Sequence, residues 1–264
     1  EKKLFKIHNP WGIILFKRNI SSLRQLSRLT KDIKITMRDK HYPIMIDEEG
    51  GLVSRLSSFI DNSAYSQSFF GNLFEKNNTV GKKIYKNYIN SICSIFNKIG
   101  ININTVPVLD ITTNKTHKII GSRSYSKNKK TIRLLGQICI KSHKANKIAT
   151  VIKHVPGHGR SLTDSHKTLP IINNSQKTLQ NYDFECFKKM NSLFGMTAHI
   201  LYSKIDPINV CTHSKKIICN IIRKKIGFKG ILISDDISMK ALKHDLLTNA
   251  KKSLMAGCNL VLHC

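Results

Sequence analysis

Ile148-Ala149-Thr150-Val151-Ile152-Lys153-His154-Val155-Pro156-Gly157-His158-Gly159 is an apolar, partly β-branched run that ends in a turn. Its first residues, 149–152, read as a buried strand, and Pro156, Gly157 and Gly159 then break any regular element. Lys153 and His154 are expected where the strand ends and the loop begins. Working outward, six more short apolar runs lie at 12–16, 43–46, 101–104 running on to 108, 193–197, 231–233 and 260–262. Between them come longer stretches of helical period, such as Leu23, Leu26, Leu29, Ile33 and Met37, or Ile84, Tyr88, Ile92, Ile95, Phe96 and Ile99. Alternation of this kind predicts an α/β domain whose parallel sheet is closed by helical crossovers. The number of repeats favours a (β/α)8 TIM-like barrel over an open doubly wound sheet. Only seven strands are visible, there is no initiating Met, and the chain stops inside an apparent strand at Cys264. The expectation is a barrel lacking its first strand and its last helix, with residues 1–264 forming one catalytic domain.

Charged residues cluster where such strands end. Asp47 follows 43–46, Lys153 and His154 follow 149–152, His199 follows Met196-Thr197-Ala198, and Asp235 and Asp236 follow 231–234. The C-terminal ends of barrel strands are where this architecture assembles active sites. Downstream of the opening run, Asp164-Ser165-His166 sets an acid two residues from an imidazole. In an extended segment the two side chains point the same way, so Asp164 is suited to orient His166 as a general acid/base. Gly157 and Gly159 suggest backbone freedom and a segment, 155–163, that swings over the site.

Composition excludes more than it assigns. Seven cysteines without a C-x-x-C pair argue against a disulfide framework or a zinc ribbon, and a reducing cytoplasm is expected. His154 and His158 are four apart, but Pro156 and Gly157 forbid the helix that would bring them together on a metal, so no metal is expected. No nucleotide-binding glycine motif occurs, no cofactor is expected, and no apolar run is long enough to span a membrane. The net charge of +28, from 44 Lys+Arg against 16 Asp+Glu, would suit a nucleic-acid partner. The lysines are spread along the chain without an aromatic-rich cluster, however, which suits a solvated surface better. Neither nucleic acid nor membrane is expected as a partner, and the chain is expected to act as a monomer.

The motifs Trp11-Gly12-Ile13-Ile14-Leu15-Phe16 with Arg18-Asn19, Ile46-Asp47-Glu48-Glu49-Gly50-Gly51 with Arg55, Gly121-Ser122-Arg123, Lys153-His154-Val155-Pro156-Gly157-His158-Gly159 with Asp164-Ser165-His166, and Ser234-Asp235-Asp236 occur in the order found in one known family. The chain resembles family 3 glycoside hydrolases of the bacterial β-N-acetylhexosaminidase type, the enzymes of peptidoglycan recycling. The resemblance implies a retaining double displacement with Asp235 as nucleophile and His166, oriented by Asp164, as acid/base. It also implies that Asp47, Arg55, Arg123, Lys153 and His154 hold the hydroxyls of a terminal N-acetylglucosamine, with muropeptide fragments as the carbohydrate substrate. His158 is expected to shape the loop, and His199 to stand at or behind the site wall. Valine at 155, glutamate at 48 and leucine at 52 depart from the family's common aromatic, glutamine and arginine. A histidine acid/base also leaves open a phosphorylase, with phosphate in place of water, and charge alone motivates a nucleic-acid binder.

Overall fold

The computed structural model describes residues 2–264 apart from Lys115, Asp164, His166 and Lys167. Helix α1 (Lys2–His8) leads to strand β1 (Ile13–Leu15), helix α2 (Leu23–Met37) and strand β2 (Ile44–Ile46). Two helices, α3 (Gln67–Lys76) and α4 (Asn78–Ile99), precede β3 (Ile103–Asn104), and α5 (Lys129–Ala145) precedes β4 (Ala149–Val155). Then come β5 (Ile171–Ile172), α6 (Gln176–Asn181), β6 (Phe194–Thr197) and β7 (Leu201–Tyr202). Helix α7 (Lys215–Ile217) continues as a π-helical stretch, Ile218–Ile226, into β8 (Ile231–Asp236), and α8 (Leu246–Ala256) leads to β9 (Leu260–Leu262).

The seven runs read as strands form one curled, wholly parallel sheet in the order β1-β2-β3-β4-β6-β8-β9. The fold is of the TIM-barrel type. Alternation along each strand divides the core in two. Met45, Ile103, Val151, Phe194, Met196 and Ile233 point inward and pack together, with Ile14, Leu260 and Leu262 beside them. Ile44, Ile46, Ile152 and Leu232 point outward into the layer of helices. Edge strands β1 and β9 do not pair with each other among the described residues; their inward side chains share a cavity of about 130 Å³ with Trp11 and Met45. Trp11 packs edge-on against Phe194, ring centroids 5.6 Å apart, and covers the inner cluster beside the N-terminal ends of the strands.

The helices follow their sequence periods with an offset. On α4 the buried stripe is Tyr85, Ile89, Ile92, Cys93, Phe96 and Ile99, whereas Ile84 is exposed, as Leu23 is at the start of α2. Ile84 lies on the outer face of α4, between buried Gly81 and Tyr85, and Leu23 is the first residue of α2. Side-chain caps start the helices: Ser22, Ser66, Asn77, Ser175, Ser214 and Asp245 each accept a backbone N–H of the first turn. The sequence reading does not contain the small parallel pair β5–β7, which sits outside the main sheet. Two-residue strands are too short to carry a period.

Candidate active site

The same alternation that fills the barrel builds the site at its C-terminal end. Two residues beyond an inward-pointing side chain, the next inward position reaches past the apolar layer into open space. Phe16 follows Ile14, Asp47 follows Met45, Thr105 follows Ile103, Lys153 follows Val151, Asp235 follows Ile233 and Cys264 follows Leu262. All of these except Thr105 line one pocket of about 390 Å³, and Thr105 stands directly behind Asp47 and Lys153. Arg18, Glu49, Arg55, Arg123, His154, His158, Ser165 and Asp236 complete its polar lining.

Two placements differ from the sequence reading. Lys153 and His154 do not follow the strand but belong to it, because β4 runs on to Val155. Likewise Asp235 and Asp236 are the last residues of β8. Simple alternation would turn His154 outward with Ile152. The register of β4 shifts between Ile152 and Val155, and that irregularity lets Lys153 and His154 line the pocket side by side.

Lys153 bridges two carboxylates, with its Nζ 2.6 Å from Glu49 and 3.2 Å from Asp47. Arg123 grips Glu49 through two bonds of 2.8 and 2.9 Å, and Arg55 donates to Asp47 at 3.1 Å. Burial alone would push both acids up. The cations outweigh it: Lys153 and Arg55 hold Asp47 well below the usual carboxylate range, and Arg123 and Lys153 hold Glu49 at about 2. The result is a rigid set of ionised donors and acceptors. Glu49 was not foreseen from sequence, although it lies two residues from Asp47. Neighbouring Glu48 turns away from the pocket and accepts the backbone N–H groups of Arg55 and Leu56 and the Asn62 amide.

Asp235 has no Lys or Arg partner among the described residues. Its Oδ1 accepts the Asp236 N–H at 2.8 Å. Burial raises its carboxyl, but His199, His154, that N–H and Lys153 together hold it below its ordinary range. His199, fully buried, does not line the pocket. It stands behind, with Nε2 2.9 Å from the Asp236 carbonyl and Nδ1 2.7 Å from the Thr212 hydroxyl. A carbonyl only accepts, so Nε2 carries the proton. Burial lowers the His199 pKa, against the raising effect of Asp235 and Asp236. Asp236 closes a turn by accepting the Ser238 N–H and hydroxyl.

The loop after β4 departs from expectation. Residues 155–159 are buried and held on several sides. Tyr202 donates its hydroxyl to the Gly157 carbonyl at 2.5 Å, Thr116 donates to that of Gly159, and Arg160 pairs with buried Asp183 at 2.6 Å. Gly159 serves close packing, and Gly157 also takes a positive φ of 143° that favours glycine. A Cβ on Gly159 would collide with the Ile111 carbonyl, and one on Gly157 would sit 3.0 Å from the Asp183 side chain. The expected swing of 155–163 is therefore corrected for its pinned base, 155–161. His158 lines the pocket as well as shaping the loop, its Nε2 3.2 Å from the Ser165 hydroxyl. Asp164 and His166, the expected acid/base pair, lie outside the described residues, on either side of Ser165. Asp110, also unforeseen, is fully buried and accepts His154 Nδ1 at 2.7 Å and the His158 N–H at 2.6 Å. No run of charge or period marked it in the sequence.

Comparison with known proteins agrees with this geometry. The glycosyl hydrolase family 3 N terminal domain matches residues 1–264. A β-hexosaminidase of Actinobacillus succinogenes is 32% identical over 96% of this chain and 73% of its own, and one of Nitrosomonas eutropha is 30% identical over the same shares. Among solved structures, NagZ of Neisseria gonorrhoeae in complex with N-trifluoroacetyl-D-glucosamine superposes with a TM-score of 0.86 at 29% identity, covering 96% of this chain and 74% of that one. A family 3 β-N-acetylglucosaminidase of Paenibacillus sp. gives 0.89 at 26% identity; this chain spans 99% of itself but half of that protein. With a parallel barrel, a strand-end pocket of this composition and a match along its full length, the chain belongs to glycosyl hydrolase family 3, among the relatives named β-hexosaminidase.

Proposed function

We propose that this domain is a retaining exo-β-N-acetylglucosaminidase that releases terminal N-acetylglucosamine from cytoplasmic peptidoglycan fragments, N-acetylglucosaminyl-anhydro-N-acetylmuramic acid with or without its peptide. The observation that carries the reading is the carboxylate of Asp235, held below its ordinary range with no Lys or Arg partner among the described residues, in the same pocket as the paired cluster of Asp47, Glu49, Arg55, Arg123 and Lys153. Asp235 attacks the anomeric carbon as the glycosidic C–O bond breaks, and His166, held by Asp164, gives its proton to the departing oxygen. His166 then takes a proton from water, whose oxygen displaces Asp235. Asp47, Arg55, Arg123 and Lys153 bind the sugar hydroxyls, because ionised groups held by one another keep fixed directions, and His154 binds beside them. A volume of about 390 Å³ suits one amino sugar better than a polymer threaded through. The amino-sugar ligand of the Neisseria gonorrhoeae relative supports the same substrate class.

The test is hydrolysis of an aryl N-acetyl-β-glucosaminide beside the matching β-glucoside, with and without inorganic phosphate. Release of free N-acetylglucosamine, phosphate-independent and much faster than glucose release, is expected. A sugar 1-phosphate as product would instead assign a phosphorylase, and turnover of the glucoside alone would overturn the reading.

A further inference from the structure

Asp110 is the one pocket-side carboxylate with no route to solvent and no Lys or Arg partner among the described residues. The chain beyond β3 runs alongside β4: Leu109 N–H donates to the Lys153 carbonyl at 2.8 Å and Lys153 N–H to the Pro107 carbonyl at 3.2 Å. This pairing brings Asp110 against His154. Its two oxygens then serve two separate parts of the site. Oδ2 faces His154 Nδ1 at 2.7 Å, and Oδ1 accepts the His158 N–H at 2.6 Å, while the His154 N–H lies 3.3 Å from both.

We propose that Asp110 is a positioning residue that fixes the tautomer and direction of the His154 ring and ties that ring to the loop carrying His158. An ionised carboxylate has only lone pairs to offer, so the proton between Oδ2 and the imidazole sits on Nδ1. In neutral His154 the other nitrogen, Nε2, is then an acceptor, and the ring lines the pocket. His154 thus presents to a sugar hydroxyl an acceptor where the opposite tautomer would present a donor. The same carboxylate sets the base of the loop that leads to Ser165 through the 3.2 Å contact of His158. The assignment of His154 to sugar binding rests on the function proposed above; the tautomer does not.

The experiment is ¹⁵N NMR of the whole chain labelled at histidine, with His154 assigned by its loss in His154→Ala. Above the range in which imidazole titrates, a protonated Nδ1 and a bare Nε2 are expected, and the reverse would overturn the proposal. Asp110→Asn keeps the shape of the side chain and an oxygen for the His158 N–H, but turns an amide N–H toward His154. The tautomer should invert, and kcat/KM on an N-acetyl-β-glucosaminide should fall on the order of 10- to 100-fold. In a His154→Ala background the same change should cost little further, since Asp110 acts through that ring. Equal losses in both backgrounds would make Asp110 a purely structural residue and sink the proposal. Should Asp110→Asn not fold, the wild-type tautomer alone decides. A wild-type chain inert on the glucosaminide but with the expected tautomer, inverted in Asp110→Asn, would overturn the proposed function and leave Asp110 as assigned.

Discussion

A carboxylate that attacks a sugar has to be ionised before the substrate arrives, and Asp235 meets this condition through its surroundings rather than through a cation of its own. His199, His154, the Asp236 N–H and Lys153 favour its ionised form, and no Lys or Arg among the described residues pairs with it in a contact that attack would have to break. Replacement of Asp235 by Ala should therefore leave the melting temperature nearly unchanged and remove turnover. Near wild-type rates in Asp235→Ala would shift attention to Asp236. The proposed acid/base is separable by leaving group. His166→Ala should slow a disaccharide far more than an activated aryl glycoside, whose leaving group departs without a proton. Equal losses on both substrates would give His166 a binding role instead.

Individual elements carry features that side-chain chemistry alone does not explain. Helix α5 buries His143, whose Nδ1 lies 2.9 Å from the Cys139 carbonyl and whose Nε2 lies 3.4 Å from the Asn104 amide. That amide in turn clasps the backbone of Glu48, its Oδ1 taking the N–H and its Nδ2 donating to the carbonyl, between the two pocket acids Asp47 and Glu49. Burial lowers His143 and His158 from 6.5 to about 4. At each of these two rings the unfolded chain therefore binds a proton that the folded chain refuses. Their contribution is intact above pH 6.5 and is lost as pH falls from there to about 4, by about 1.4 kcal/mol per unit for each ring. Denaturant melts between pH 7.5 and 4.5 should show a loss of this sign, to which His213, lowered to about 4, adds and which Asp183, raised by burial to about 6, opposes; His143→Gln should flatten the slope by one proton's worth, and an unchanged slope would mean that His143 titrates normally. The loop after β4 makes the steric counterpart. Gly159→Ala forces a methyl onto the Ile111 carbonyl and should cost roughly 1–3 kcal/mol with a matching loss of activity. A fully stable, fully active Gly159→Ala chain would show that the loop base is not packed as described.

At the scale of the whole molecule, the net charge of +28 surrounds a pocket whose own charges are largely paired. Such a field acts on encounter rather than on chemistry, and it acts only on charged substrates. Raising salt from ~50 to ~500 mM shortens the screening length severalfold. It should lower kcat/KM for a peptide-bearing, anionic muropeptide while leaving a neutral aryl N-acetyl-β-glucosaminide nearly unaffected. Parallel losses on both substrates would show that salt disturbs the site itself.

How far the sequence reaches depends on the range of the interaction that each residue obeys. The seven main strands and helices α2 and α4 are legible because periods of two and 3.6 are local, and they place Asp47, Lys153 and Asp235 at strand ends without further information. His154 is placed at a strand end by the same local pattern, whereas Arg55 and Arg123 enter through motif resemblance, and the structure brings all three to the same pocket. Glu49 and Asp110 carry no such mark. Their importance comes from partners 74 and 44 residues away, Arg123 and His154, which meet them only when the sheet curls. The glycines after β4 show the same limit. A sequence reports that Gly157 and Gly159 permit unusual backbone, but whether they lend freedom or remove a side chain in the way depends on what packs against them. Asp183 and the Ile111 carbonyl arrive there through tertiary folding. Local pattern thus determined the barrel and its reactive end, while ion-pair choice, tautomers and the pinning of the loop were decided by contacts between distant segments, which no local period encodes.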